Sequence, residues 1–165
     1  AIKGGLVKED SNRPYISNSL VLASKSADKK IQKLNELPKL LENQRLALCG
    51  PGPIPCGTYA KQALRDAAIW DQIERHIIYA KDATANRHYV ESGAVDLAIL
   101  YRSDVLQSDL VQAISPPLDV EIIYEIAPLG REQKKQSEAL WDYLHSVEIL
   151  SIIRDAGFQP ATGNE

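Results

Sequence analysis

The stretch HIIYAKDATANRHYVESGAVDLAILY, residues 76–101, is the part of the sequence that most clearly predicts the fold. It opens with a strand-like run at 76–80, rich in β-branched residues. Asp82 then has the chemistry of a helix N-cap, and Gly93 that of a residue that ends a helix. Residues 95–101 are almost continuously apolar, as expected of a strand covered on both faces. The stretch therefore predicts a strand–helix–strand unit of a parallel sheet.

The rest of the chain continues this alternation of short apolar runs and longer helical ones. Further strands are predicted at 19–23, 45–49 and 120–127. Helices are predicted at 31–43 with an interruption at Pro38, at 56–68, 82–91, 131–145 and 147–156, with Gly157 closing the last. Residues 50–55 hold three prolines and two glycines and are predicted to be a loop. The pattern indicates an α/β fold with a mainly parallel sheet.

Composition limits the function classes. The chain has 165 residues, 44% of them hydrophobic and 25% charged, and a formal net charge of −3. It is long enough for one domain with a core, and it contains no apolar run of membrane-helix length. Nucleic-acid binding is not expected, because it depends on a clustered excess of Lys and Arg.

The amino terminus reads as the end of a helix capped by glycine, at Gly4 and Gly5. The chain contains neither a signal peptide nor any Met. We therefore expect the sequence to be part of a longer product that lacks an N-terminal segment.

Two cysteines, Cys49 and Cys56, lie seven residues apart. They are able to pair in an oxidising compartment and would stay free in a reducing one, so the sequence leaves their state open. Zinc is not expected, because there is no CxxC motif and no histidine has ligand-type spacing to either cysteine.

No catalytic motif is present. The sequence has no G-x-S-x-G elbow and no phosphate-binding loop of the G-x-x-x-x-G-K-[ST] type. The remaining enzyme hypothesis is a reactive Cys56 thiol at a helix start, but no partner base lies nearby in the sequence. We therefore do not expect an enzyme.

Three stretches together resemble the molybdate-binding proteins of bacterial ABC importers. Residues 53–64 (PIPCGTYAKQAL) resemble the family's V-P-A-G-x-Y-A-x-x-A-L pattern. Residues 89–93 (YVESG) are similar to its V-E-x-G ending, and residues 96–104 (DLAILYRSD) to its strand ending in Y-x-S-D. The resemblance extends over about residues 5–158.

The resemblance implies a periplasmic-binding-protein fold of type II. Residues 18–122 would form one complete α/β lobe. Residues 1–17 would connect it to the missing lobe, to which the return strand and C-terminal helices of 123–165 would belong. Those helices would expose an apolar face that includes Ala139, Leu140, Tyr143 and Leu144. Such a face usually marks a missing partner surface, so we expect self-association or covering by neighbouring chains.

The resemblance also implies an oxyanion site. Its donors would be the backbone N–H of Cys56, the backbone N–H of Ala83 and the hydroxyl of Tyr101, and Gly57 would leave room for a ligand to approach. This is physically reasonable because unpaired amides converge at helix starts. Asp82 would put a carboxylate near the anion. The molybdenum would enter only as molybdate, without direct protein ligands.

The expected ligand is molybdate or tungstate, with no cofactor, and the expected partner is an ABC permease at the periplasmic face of the membrane. The family's other donors lie in the segment that this chain lacks, so we expect weak or absent binding by the chain alone. The alternative function is an oxyanion-sensing effector domain of a transcription regulator.

Overall fold

A computed structural model describes residues 11–26, 28, 30–50, 54–128 and 134–161. The chain divides into two compact units: Ser19–Glu121 forms one, and Ala1–Asn18 together with Ile122–Glu165 forms the other. The assignment of the outer segments to a second, incomplete lobe stays a prediction.

The strands are β1 (Arg13–Asn18), β2 (Leu20–Ser24), β3 (Leu46–Cys49), β4 (Ile77–Ala80), β5 (Leu97–Tyr101), β6 (Gln112–Ala113), β7 (Ile122–Ile126) and β8 (Gln159–Pro160). The α-helices are α1 (Leu37–Leu40), α2 (Pro55–Asp66), α3 (Trp70–Ile73), α4 (Ala83–Ser92), α5 (Arg102–Leu106), α6 (Lys134–Leu144) and α7 (Val147–Asp155). Two 3-10 helices occupy Leu34–Glu36 and Glu74–His76. Within the described ranges, no helix combines the length and apolar character needed to cross a bilayer.

The larger unit is built on a five-stranded sheet of order β4-β3-β5-β2-β6. β3 runs parallel to β4 and β5, whereas β2 runs antiparallel to β5 and β6. The α/β prediction is confirmed, but the sheet is mixed rather than mainly parallel. The hydrophobic run at 19–23 shows that a buried strand exists there; it carries no information on the strand's direction, which pairing with β5 decides.

The core of this unit lies around the central strands. β2 and β3 are buried along their whole length, and β5 is buried up to Leu100. Val90 of α4 is fully buried and packs in a cluster with side chains of β2 and β5. Because burial of one aliphatic side chain contributes about 1.5–3 kcal/mol, these strands form a rigid base for the loops that follow them.

The predicted helix at 31–43 is replaced by two short pieces. The 3-10 helix Leu34–Glu36 begins with the Glu36 carboxylate accepting the backbone N–H of Lys33 at 2.8 Å. Pro38 lies in the first turn of α1, where its missing N–H costs no intrahelical bond.

The smaller unit contains a sheet of order β7-β1-β8, with both pairs antiparallel. The sequence predicts no strand before residue 19, so β1 is a strand that the sequence analysis missed. The register of β1 shifts between Pro14 and Ile16, and a proline at such an irregularity weakens the local strand pattern. β8 lies in the tail that the sequence presents as polar.

The two C-terminal helices form where predicted. Ser146 caps α7 by accepting the backbone N–H of Ile149, and Gly157 follows α7 with a φ of +90°. The described part of α6 starts at Lys134, and its predicted start at residue 131 lies outside the described residues. The expected exposure of the apolar face is confirmed for Ala139, Leu140 and Tyr143, whereas Leu144 is half-buried.

Candidate functional site

The carboxyl ends of three parallel strands lie at one edge of the larger unit's sheet. Cys49 at the end of β3 is in register with Ala80 at the end of β4, and Ala47 is in register with Ala98 of β5. Each of these strands leads into a helix, respectively α2, α4 and α5. Of the three predicted donors, Cys56 comes after β3, Ala83 comes after β4 and Tyr101 ends β5. These strand ends lie at the edge where open α/β sheets bind ligands.

The first turn of α2 leaves one amide available. Pro55 has no N–H, and the amides of Gly57 and Thr58 both donate to the carbonyl of Ile54, at 3.1 and 3.2 Å. Among the described residues, the Cys56 amide is thus the first-turn donor of α2 that is free for an outside acceptor. The resemblance to the molybdate-binding proteins implies this same amide as a donor, and that role stays a prediction.

Cys49 and Cys56 form a disulfide, with their Cα atoms 5.9 Å apart. Both residues are buried. The sequence does not decide whether the two cysteines pair; in the structure they do, and no free cysteine is present. The hypothesis of a nucleophilic Cys56 thiol is wrong for this structure.

Gly57 is required by packing. A Cβ at this position would lie 2.6 Å from the carbonyl oxygen of Cys49 and 2.8 Å from that of Gly50. The first turn of α2 therefore presses directly against the end of β3, and the expectation that Gly57 also leaves room for a ligand stays a prediction.

The start of α4 is capped by Asp82. Its carboxylate accepts the amide of Ala85 at 2.7 Å, and its carbonyl accepts the amide of Asn86 at 3.0 Å. Among the described residues, the first-turn amides of Ala83 and Thr84 have no acceptor. The capping carboxylate also brings a negative charge to the helix start, which opposes the attraction of the helix dipole for an anion.

Asn86 is a buried residue that the sequence analysis missed. It is 1% exposed, and its side-chain amide donates to the carbonyl of Ile99 at 2.8 Å. This bond joins the second turn of α4 to β5, two residues before Tyr101. Its Oδ1 atom has no partner among the described residues. The signal was the helical spacing that puts Asn86 on the same face as Val90.

Tyr101 is the last residue of β5 and lies opposite Leu20 of β2. It is half-buried, and its extended backbone serves as the N-cap of α5. Its position at the strand end agrees with the prediction, but its role as a donor to an anion stays a prediction.

Two cations near the edge have other partners. The ammonium group of Lys61 lies over the Trp70 ring, 4.4 Å from the ring centroid. The Nε atom of Arg87 lies 3.4 Å from a carboxylate oxygen of Glu91. Burial raises the pKa of Asp104, and the nearby Arg87 partly opposes that shift. Each of these two positive charges thus already has a neighbouring partner.

Other candidate sites are weaker. In the described part of the chain, no group of three or more metal-ligating side chains comes together. A cleft of about 210 Å³ opens where β2 ends and where β3 and β5 begin. It is lined by Ser24, Lys25, Ser26, Gln44, Gly93, Val95 and Asp96. Its charged groups are engaged, since Lys25 donates to the carbonyl of Glu91 and Asp96 accepts the amide of Arg45.

Comparison with known proteins agrees with this fold. Residues 1–159 match the bacterial extracellular solute-binding protein family. A putative ABC transporter substrate-binding lipoprotein, YvgL of Bacillus subtilis, is 29% identical over 94% of this chain and 60% of its own length. The molybdate-binding protein ModA of Escherichia coli is 30% identical over 90% of this chain and 60% of its own length.

A solved structure shows the same fold. The substrate-binding domain of a putative molybdenum ABC transporter from Clostridium difficile has a TM-score of 0.81 at 22% identity, covering 97% of this chain and 71% of that one. The chain spans about 60% of the length of the curated relatives it matches.

The chain thus has a periplasmic-binding-protein-like fold. This chain belongs to the bacterial extracellular solute-binding protein family. Its relatives are binding proteins rather than enzymes, as the sequence predicts, and they add no support to the regulator alternative.

Proposed function

We propose that this chain carries half of a binding site for a tetrahedral oxyanion, molybdate or tungstate, in the receptor of an ABC importer. Support comes from the two helix starts at the carboxyl edge, where the amides of Cys56 and Ala83 have no acceptor among the described residues. The name of the Escherichia coli relative, a molybdate-binding protein, points to the same ligand class.

Neutral donors suit this ligand. Amides at a helix start present N–H groups to an anion together with the positive end of the helix dipole. The Tyr101 hydroxyl would add one donor from the neighbouring strand end. Fixed donors of this kind select for anion size, because every donor must reach an oxygen of the same ligand at hydrogen-bonding distance.

The wider role follows from the family. The oxyanion would be held without a cofactor and without bonds from protein atoms to the metal. The whole receptor would act outside the cytoplasm and pass its ligand to a membrane permease. Three donors from one unit form an incomplete shell for four oxygens, so this chain alone would bind in the high-micromolar to millimolar range.

The test is a molybdate titration followed by amide NMR, with Tyr101→Phe as the paired variant. The amide resonances of Cys56, Ala83 and Thr84 should shift together with one dissociation constant. Tyr101→Phe should weaken binding about tenfold or more, because a hydrogen bond to a charged group contributes about 1.5–3 kcal/mol.

Two results would contradict the proposal. If millimolar molybdate leaves all three amides of the folded chain unshifted, the edge is not an oxyanion site. If the isolated chain binds with sub-micromolar affinity, the site is complete within this chain and the half-site proposal is wrong.

A further inference from the structure

The Cys49–Cys56 disulfide links the last residue of β3 to the first turn of α2. Between the two cysteines lie residues 50–55 (GPGPIP), the last of which, Pro55, is already the first residue of α2. Because proline has no amide N–H, Pro55 leaves Cys56 as the first residue of α2 with a backbone donor.

Two backbone contacts flank the disulfide. The Gly50 amide donates to the Ala80 carbonyl at 2.7 Å, which ties the residue after β3 to the last residue of β4. Gly57 lies so close to the carbonyls of Cys49 and Gly50 that no side chain fits. The disulfide therefore acts where backbone already meets backbone, one residue before this contact.

The residue that forms the crosslink also supplies the available amide of α2. The sulfur of Cys56 is bonded to Cys49, and its N–H has no acceptor among the described residues, so the covalent bond lies only a few bonds from this donor. Fixing a binding group in advance lowers the entropy cost of binding.

We propose that the disulfide positions the Cys56 amide, so that oxyanion binding by this chain depends on the oxidised state of Cys49 and Cys56. The inference rests on the proposed function. Reduction by a phosphine would break the S–S bond and form two thiols, while the phosphine takes the oxygen of water and becomes its oxide. The helix start would then be held by noncovalent contacts alone.

The experiment compares four samples by the same molybdate NMR titration: the oxidised chain, the phosphine-reduced chain, the double variant Cys49→Ala/Cys56→Ala, and Leu41→Ala. Leu41 is fully buried and lies outside the carboxyl edge, so its variant controls for a loss of stability. Mass spectrometry confirms reduction as a gain of two hydrogens.

We expect the affinity to fall at least about fivefold on reduction and in the double variant, and to be unchanged in Leu41→Ala. Equal affinity in the oxidised, reduced and double-variant samples would overturn the inference. A loss in Leu41→Ala as large as in the double variant would overturn it too, because stability alone would then explain the effect.

Amide hydrogen exchange of Cys56 and Gly57 without anion gives a second, independent readout. Reduction should speed exchange at both amides more than Leu41→Ala does. If the oxidised chain fails to bind molybdate, the proposed function is wrong, and exchange still reports whether the disulfide holds the helix start. Unchanged exchange on reduction would refute the positioning role itself.

Discussion

Asp82 has two opposing effects on the carboxyl edge. Its carboxylate accepts the amide of Ala85 and so stabilises the start of α4, typically by about 1 kcal/mol. The same charge lies beside the amides that we propose to bind an anion. A carboxylate in this position weakens the attraction that the helix start offers.

Asp82→Asn separates the two effects. Asparagine caps helices about as well as aspartate, so the helix start should persist while the negative charge is lost. We predict that the molybdate affinity rises by a factor of about three to ten, as expected for one charge removed several ångströms away.

The comparison variant for this prediction is Asp66→Asn. It removes the same charge from the last turn of α2, where the carboxylate is bound by Gln62. Affinity should be unaffected there. An Asp82→Asn chain that binds no better than the parent would show that the anion does not approach the start of α4.

At the scale of the element, α4 is defined at both ends by local chemistry. Asp82 caps its start, and Gly93 ends it with a φ of +78°. Further along the chain, Ser108 donates to the Glu91 carboxylate at 2.7 Å, and that carboxylate also contacts Arg87. Asp104 of α5 lies near the same arginine, so the junction of α4 and α5 is a small network of charges.

Burial raises the pKa of Asp104 above its ordinary value of 3.8. The folded state therefore binds the proton more tightly than the unfolded state, and stability falls as pH rises from the ordinary pKa through the raised one. We predict that Asp104→Asn raises the free energy of unfolding at pH 7, and that this gain disappears at pH values below the ordinary pKa.

Urea unfolding at several pH values measures this difference. Asp109→Asn, a change at an exposed residue nearby, should show no comparable dependence. A loss of stability in Asp104→Asn at neutral pH would mean that the attraction of Arg87 for the carboxylate outweighs the cost of burying it.

At the scale of the whole molecule, the two units differ in how much they bury. The larger unit has a continuous core, whereas the buried described residues of the smaller unit are Asn18, Ile122, Gly157 and Ala161. Helix α6 is held to β1 mainly by aromatic and polar contacts, including the Tyr15 hydroxyl donating to the Leu144 carbonyl at 3.0 Å. The apolar side chains of α6 and α7 therefore remain largely at the surface.

We predict that the isolated chain associates through this apolar face. Val147 is 84% exposed and Leu140 is 56% exposed, and exposed apolar patches commonly mark contact surfaces. Analytical ultracentrifugation should show mass rising with concentration, and the double variant Leu140→Lys/Val147→Lys should remain monomeric.

Leu106→Lys provides the matched control, because Leu106 is equally exposed at 56% but belongs to the larger unit. It should associate like the parent chain. A parent chain that is monomeric at NMR concentrations would rule out self-association through this face.

Local sequence patterns determined those helices and strands whose signals, such as caps and apolar runs, lie within a few neighbouring residues. The residues Asp82 and Gly93 bound α4 almost as predicted, and Ser146 and Gly157 bound α7. Apolar runs located the buried strands β2, β3 and β5 within one or two residues. A cap or a periodic apolar face acts over one or two helical turns, so a single sequence contains the whole signal.

Pairing between distant residues was decided only by the tertiary structure. The antiparallel direction of β2, the strand β1 and the bond from Asn86 to Ile99 each join residues that are far apart or ambiguous in pattern. The sequence placed Cys56, Ala83 and Tyr101 at strand and helix ends, but parallel pairing of β3 with β4 and β5 brought those ends to one edge. The sequence likewise leaves the pairing of Cys49 and Cys56 undecided, because a short spacing permits a disulfide but only the folded geometry forms it.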